Sequence, residues 1–150
     1  MGTRSLTFVY QNNSTKQKDR LCCMYRQFDG YPSGHGKELA EFLAGSEMVD
    51  GYGDKTAKQF DGMGCCAAQM VSHFKEGVGG FYLFPTNTKD AWQEYEYHVY
   101  HLEKGGFRIQ VRADEIIFDG TLEQFKVFCE AEENGLRKEG CCESLSNRTY

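Results

Sequence analysis

The chain has 150 residues, of which 40% are hydrophobic and 26% are charged, a composition typical of one globular domain with its own core. Its formal net charge of −5 argues against binding of duplex DNA or RNA, which needs a basic surface. No apolar run approaches the roughly 18 residues of a membrane span, so no membrane association is expected.

The first half of the chain predicts a β-hairpin followed by helices. Two β-type runs, over 6–10 and 21–27, flank a polar loop. A helix is predicted over 37–44, ended by Gly45, and 49–62 is interpreted as a connection with a short helix at 56–60. A second helix is predicted over 65–75 from apolar residues spaced by three and four, namely Cys66, Met70, Val71 and Phe74.

The second half predicts further strands and a last helix. A strand over 81–84 stops at Pro85, and residues 94–102 and 107–111 form a hairpin around Gly105–Gly106. After a strand at 116–120, an amphipathic helix covers 121–132, with Thr121 as its N-cap and Cys129 in the core. The expected fold class is α+β. A single domain over 1–133 has a mostly antiparallel sheet with about three helices packed on one face, and 134–150 form a polar C-terminal tail.

The segment 25–37 carries more polar side chains than a strand-to-helix connection needs. Backbone N–H groups at a helix start attract anions, so the segment predicts a phosphate or nucleotide site, although the spacing of a P-loop is missing. The candidate ligand-binding residues are Arg4, Arg26, Gln27, Asp29, Tyr31, Ser33, Gly34, His35, Gly36 and Lys37. Six of them are expected to share one pocket, namely Arg4, Arg26, Asp29, Tyr31, His35 and Lys37.

The same segment also fits a purely structural interpretation. Asp29–Gly30 then forms a turn, Pro32 a bend, and Ser33 caps the following helix. In that case Arg26 pairs with Asp29, and the loop holds itself together without a ligand.

A weaker candidate for chemistry is Cys65, placed at a predicted helix start where thiol pKa values fall. With His35 or His73 nearby, Cys65 would be the nucleophile of a transferase or hydrolase. The alternative is a small apolar side chain packed beneath a glycine turn, since free cysteines are usually buried and inert.

The sequence predicts no metal and no cofactor. The adjacent cysteine pairs at 22–23, 65–66 and 141–142 lack the C-x2-C spacing of zinc sites, and His98 and His101 face opposite sides of a strand. An aromatic stripe is interpreted as sheet core rather than a base-stacking surface, and it comprises Phe81, Tyr82, Tyr95, Tyr97 and Tyr100.

The chain resembles a family of small uncharacterised proteins from phages, other viruses and bacteria over most of positions 2–130. The resemblance lies in Met-Gly-Thr-Arg-Ser-Leu-Thr at 1–7, in the segments 62–69 and 79–83, and most specifically in Tyr-Arg-Gln-Phe-Asp-Gly-Tyr-Pro-Ser-Gly-His-Gly at 25–36. It implies a virus- or phage-associated protein of the host cytoplasm. No activity is established for the family, so no catalytic residue is carried over. Its members usually have one cysteine where this chain has Cys65–Cys66, and the 141–142 pair has no counterpart.

Cysteine usage supports the cytoplasmic expectation. The seven cysteines are an odd number, and the first residues lack the apolar core of a signal peptide, which favours free thiols in a reducing compartment.

The leading hypothesis is a non-enzymatic protein that binds, and so sequesters, a small anionic ligand such as a nucleotide. The alternatives are the Cys65/His35 enzyme and an interaction module that grips a host protein.

Overall fold

The computed structural model describes residues 2–51 and 58–142, with side chains within these ranges as far as Asn134. The strands are β1 (Ser5–Tyr10), β2 (Arg20–Arg26), β3 (Glu47–Val49), β4 (Gln59–Asp61), β5 (Phe81–Phe84), β6 (Tyr95–His101), β7 (Phe107–Arg112) and β8 (Ile116–Thr121). The helices are α1 (Lys37–Leu43), α2 (Gly62–Phe74) and α3 (Leu122–Cys142). No helix in the described ranges is both long and apolar enough to cross a bilayer.

Six strands form the main sheet in the order β5-β2-β1-β6-β7-β8. The central pair β1 and β6 is parallel, and every other neighbouring pair in this sheet is antiparallel. A separate parallel pair is formed by β3 and β4. The predicted α+β class with a mostly antiparallel sheet is therefore confirmed.

The two faces of the main sheet are covered differently. On one face, side chains such as Val9, Val99 and Ile109 pack with all three helices to form the larger core. On the other face, a smaller cluster around Phe8 is partly covered by Ala91, which lies in the connection from β5 to β6. That connection must cross β2 and β1, because those strands separate β5 from β6 in the sheet.

Most predicted elements are confirmed. The hairpin between β6 and β7 turns at Gly105 and Gly106, whose φ angles of 93° and 83° favour glycine. Helix α3 begins with a capping box in which the Gln124 N–H donates to Thr121 Oγ1 over 3.2 Å, and the Thr121 N–H donates to Gln124 Oε1 over 2.9 Å. Cys129 is buried in the core as expected.

Three segments differ most from the predictions. The short helix at 56–60 is wrong at Gln59 and Phe60, which lie in β4, while 56–57 are outside the described residues. Helix α2 begins at Gly62, before the predicted start, and α3 continues to Cys142, into the segment assigned to the tail. Strands as short as β3 and β4 show too few residues for their alternation to be recognised.

Candidate functional site

The loop between β2 and α1 is held by its own backbone. The His35 N–H donates to the Asp29 carbonyl over 2.7 Å, and the Gly34 and Gly36 N–H groups donate to the Tyr31 carbonyl over 2.9 and 3.4 Å. These bonds form the short π-helical turn Pro32–Gly36 that leads into α1. The Gly34, His35 and Gly36 N–H groups, which were predicted to help cradle an anion, are therefore bonded to carbonyls of the same loop.

Close packing explains the three glycines of this loop. A Cβ on Gly30 would lie 2.8 Å from Ser5 Cβ, and one on Gly34 would lie 2.5 Å from the Asp29 carbonyl oxygen. A Cβ on Gly36 would approach Cys129 Sγ to 2.9 Å. Gly30 and Gly36 thus let the loop lie directly against β1 and α3, and Gly34 lets the loop fold tightly on itself.

The structural interpretation of the loop needs two corrections. No side chain caps the π-helical turn or α1 by a hydrogen bond, so Ser33 is not the predicted helix cap. Arg26 pairs with Glu38 and not with Asp29, whose carboxylate accepts a 3.3 Å hydrogen bond from the Tyr31 hydroxyl.

His35 is the buried centre of the loop, with no exposed surface. Arg26 Nη1 lies 3.1 Å from its Nδ1, and Thr7 Oγ1 lies 2.8 Å from its Nε2. Because a guanidinium can only donate, Nδ1 must accept, and the Nε2–H must donate to Thr7. Burial, with a smaller contribution from the positive charge of Arg26, lowers the pKa of His35 to about 3. The imidazole is therefore neutral at physiological pH.

Arg26 connects this buried centre to the surface. Its Nε donates to the Phe28 carbonyl over 2.7 Å, and its Nη1 and Nη2 donate to the two Glu38 carboxylate oxygens over 3.1 and 3.3 Å. The guanidinium carbon lies 5.2 Å from the centre of the Phe81 ring. The Arg26 side chain is only 13% exposed, whereas that of Glu38 is 48% exposed.

A cavity of about 410 Å³ opens beside Arg26. It lies between α1, the end of α2 and the start of β5, and the rings of Phe74 and Phe81 that line it stack 5.4 Å apart. The full lining is Arg26, Glu38, His73, Phe74, Glu76, Gly79, Gly80 and Phe81. This lining combines one guanidinium, two carboxylates and an aromatic wall.

Tyr31 and Ser33 line a different cavity, of about 540 Å³. It is bounded by the loop, the N-terminal segment, the start of β6, the β7–β8 turn and α3. Its lining is Thr3, Tyr31, Pro32, Ser33, Gln93, Glu94, Tyr95, Ala113, Asp114 and Glu132. Among the described residues that line it there are three carboxylates and no lysine or arginine.

The remaining candidate residues do not join Arg26 in one pocket. Arg4 donates to the Trp92 carbonyl over 2.9 Å and lies 3.6 Å from the Glu94 carboxylate. Lys37 contacts Glu133 on α3 at 3.2 Å. The Gln27 N–H donates to the Gly80 carbonyl over 2.9 Å, continuing the β2–β5 pairing. Of the candidate residues, Arg26 lines one cavity, Tyr31 and Ser33 line the other, and the rest line neither.

Cys65 and His35 lie towards opposite ends of α2. His35 packs against Phe74, with ring centres 5.1 Å apart, near the end of the helix. Cys65 is in the first turn, which at a rise of ~1.5 Å per residue is about 14 Å along the axis from Phe74. Cys65 Sγ instead accepts a 3.2 Å hydrogen bond from Gln69 Nε2. A Cys65/His35 nucleophile–base pair is not formed.

Several lining residues could not be found from the sequence. Glu38 lies at the start of the predicted helix over 37–44, where nothing in the sequence indicates a contact with Arg26. Gly79 and Gly80 reach Arg26 through the β2–β5 register, in which Arg26 is opposite Phe81, and no local pattern specifies that register.

Comparisons with known proteins add no functional assignment. Family models, curated proteins and solved structures all give no match to this chain. Within the described ranges there is also no group of three or more histidine, cysteine, aspartate or glutamate side chains that could hold a metal ion.

Proposed function

We propose that the protein is a non-enzymatic binding protein for a small anionic ligand, with Arg26 as the residue that recognises the anionic group. The observation that supports this most directly is the contact with Glu38. At the edge of the 410 Å³ cavity, the two Nη atoms of Arg26 already hold two carboxylate oxygens, at 3.1 and 3.3 Å. A guanidinium fork in this geometry also matches a ligand carboxylate or phosphate.

Binding in this proposal occurs by exchange of one anion for another. Glu38 is half-exposed on the surface of α1, so its side chain can turn into water when a ligand replaces it. Arg26 cannot turn away as easily, because the Phe28 carbonyl and His35 hold it from behind. The ligand therefore meets a cation whose orientation is already fixed, which reduces the entropy lost on binding.

The cavity also suits the non-ionic part of such a ligand. Volumes of about 300–1,000 Å³ are typical of small-molecule sites, and this cavity falls in that range at about 410 Å³. Phe74 and Phe81 supply apolar surface, and Glu76 supplies hydrogen-bond acceptors that remain in place when Glu38 is displaced. An aromatic, amine-bearing base linked to phosphate fits this combination, which is why a nucleotide is the proposed class.

The test compares the wild type with Glu38→Gln. The substitution keeps the side-chain shape but weakens its hold on Arg26, so nucleotide binding should tighten by about tenfold, on the scale of ~1.4 kcal/mol for one charge-assisted hydrogen bond. Melting temperatures should be measured with inorganic phosphate and with mono-, di- and cyclic nucleotides, because a ligand that binds only the folded state raises the melting temperature. Affinity should also fall as salt rises.

Glu41→Gln is the matched control. Glu41 is an exposed carboxylate on the same helix, but it does not line the Arg26 cavity, so its removal should leave binding unchanged. The proposal fails if neither the wild type nor Glu38→Gln is stabilised by any of these anions. It fails equally if both glutamine variants bind more tightly to the same extent, since only the overall charge would then matter.

A Cys65-dependent enzyme is not favoured by the geometry. The thiol and His35 lie near opposite ends of α2, and both ring nitrogens of His35 already have partners. The virus- or phage-associated, cytoplasmic setting remains an expectation from the family resemblance.

A further inference from the structure

The tryptophan of this chain, Trp92, is held in an unusual position. It is the single tryptophan of the sequence, its side chain is 78% exposed, and its φ angle is +62°, which is uncommon for a bulky residue. The backbone N–H of Trp92 donates to the Asp90 carboxylate over 2.9 Å, and Arg4 Nε donates to the backbone carbonyl of Trp92 over 2.9 Å. The backbone that carries this exposed indole is thus fixed on both sides.

A second exposed aromatic side chain lies along the same N-terminal segment. Phe28 is 53% exposed. Its ring packs directly beside Gly2, so closely that a Cβ on Gly2 would contact it. Arg4, which holds Trp92, is two residues further along, a span of about 7 Å in extended chain. Thr3, between them, lines the 540 Å³ cavity.

The 540 Å³ cavity lies next to Trp92 along the chain. The two residues that follow Trp92 in the chain, Gln93 and Glu94, belong to its lining. Three carboxylates line it, those of Glu94, Asp114 and Glu132, together with the rings of Tyr31 and Tyr95. One of these carboxylates, that of Glu94, lies 3.6 Å from Arg4 Nη2.

We infer that the Trp92 surface, defined as Phe28, Tyr31, Trp92, Glu94 and Asp114, is a docking surface for a basic polypeptide segment. The carboxylates complement an arginine or lysine that enters the cavity, and tyrosine faces attract such cations further. The exposed side chains of Trp92, which directly precedes two lining residues in the chain, and of Phe28, which lies beside Gly2, are covered by the rest of the segment. Such side chains usually dominate protein–protein affinity.

The exposed aromatic side chains favour a polypeptide over a free small cation. A polyamine can occupy the cavity, but Trp92 and Phe28 are not among the residues that line it. Burying them requires a ligand with apolar parts outside the cavity. This surface does not include Arg26, and its preference for a cation is opposite to that proposed for the Arg26 cavity.

The experiment uses the full chain and the fluorescence of its single tryptophan. The probe is a terminally blocked hexapeptide in which arginine alternates with leucine. The wild type is expected to show a saturable shift of the Trp92 emission to shorter wavelength as the indole is covered. The same peptide with citrulline in place of arginine keeps the shape without the charge, and it should bind at least tenfold more weakly.

The protein-side variant is Glu94→Gln/Asp114→Asn, which removes two exposed carboxylates of the surface. The double variant should bind the arginine peptide at least tenfold more weakly than the wild type. Glu103→Gln removes a carboxylate at the far end of β6 and should leave the affinity unchanged. If the double variant unfolds, the difference in wild-type affinity between the arginine and citrulline peptides still tests whether the surface recognises a cation. The inference is overturned by no saturable shift in the wild type, by equal binding of the citrulline peptide, or by spermine binding as tightly as the peptide. The last result would identify a site for small cations only.

Discussion

Replacing Gly36 by alanine should destabilise the protein without any ligand being involved. Gly36 already has helical dihedral angles, φ −58° and ψ −45°, so alanine fits its backbone and would by itself add about 0.4–1 kcal/mol. The new Cβ, however, would lie 2.9 Å from Cys129 Sγ and 3.4 Å from Tyr97 Cε2. Overpacking of this kind costs about 1–3 kcal/mol, so we expect a net loss of about 1–2 kcal/mol in the free energy of unfolding.

Gly64→Ala is the matched control. Gly64 is also helical, in α2, but a Cβ built there meets no atom within 4 Å. The same substitution should therefore stabilise the protein by about 0.5–1 kcal/mol, the difference in helix propensity between glycine and alanine. Urea unfolding followed by circular dichroism measures both changes in the free energy of unfolding. Because the two substitutions add the same methyl group, opposite signs would show that the loss at Gly36 comes from its surroundings.

A double-variant cycle tests the stated cause. Cys129→Ala removes the sulfur that the new methyl group would meet, so Gly36→Ala should cost at least about 1 kcal/mol less in that background. The reasoning is refuted if Gly36→Ala leaves stability unchanged but abolishes anion binding. That result would mean the glycine is needed for a ligand to approach the backbone.

Three further predictions concern the core and the loop. The pKa of His35 is about 3 in the folded protein, against an ordinary value of 6.5. The contribution of the neutral ring to stability is therefore complete above pH 6.5 and is lost as the pH falls towards 3. The NMR signals of the ring should not titrate between pH 8 and 5. Tyr97→Phe removes the buried 2.7 Å hydrogen bond to the Gly30 carbonyl and should cost about 1–3 kcal/mol in urea unfolding. Burial raises the pKa of Cys66 and of Cys129 to about 12, so iodoacetamide at pH 8 followed by peptide mass spectrometry should find both unmodified until the protein unfolds.

The sheet was predictable wherever one face of a long strand is buried. In β6, Tyr97 and Val99 pack with the helices while His98 faces the other cluster, and this alternation is visible in the sequence. The pairing order was not predictable, because the contact between β1 and β6 joins residues about 90 positions apart. Only tertiary packing selects such a pair, and no local pattern specifies it.

The candidate site was predictable in part for a similar reason. The density of polar residues around Arg26 and His35 draws attention to this loop, and its role as a binding site stays a prediction. This density did not indicate that the backbone N–H groups bond within the loop, since that depends on the π-helical turn. The acidic cavity was missed because Glu94 and Asp114 come from separate elements that meet only in the fold.

The position of Arg26 explains how one residue can support both the fold and the proposed ligand. Its Nε–H and one N–H of Nη1 are directed inwards, to the Phe28 carbonyl and to His35, while the outer part of the guanidinium meets Glu38. This division depends on a neutral His35, because a protonated imidazole could not accept from Arg26 and would repel it. The pKa of His35, about 3, keeps that condition satisfied throughout the neutral range. The affinity for an anion near pH 7 should therefore follow the ionisation of the ligand itself, and weaken through the protein only at the acid pH where the loop also loses stability.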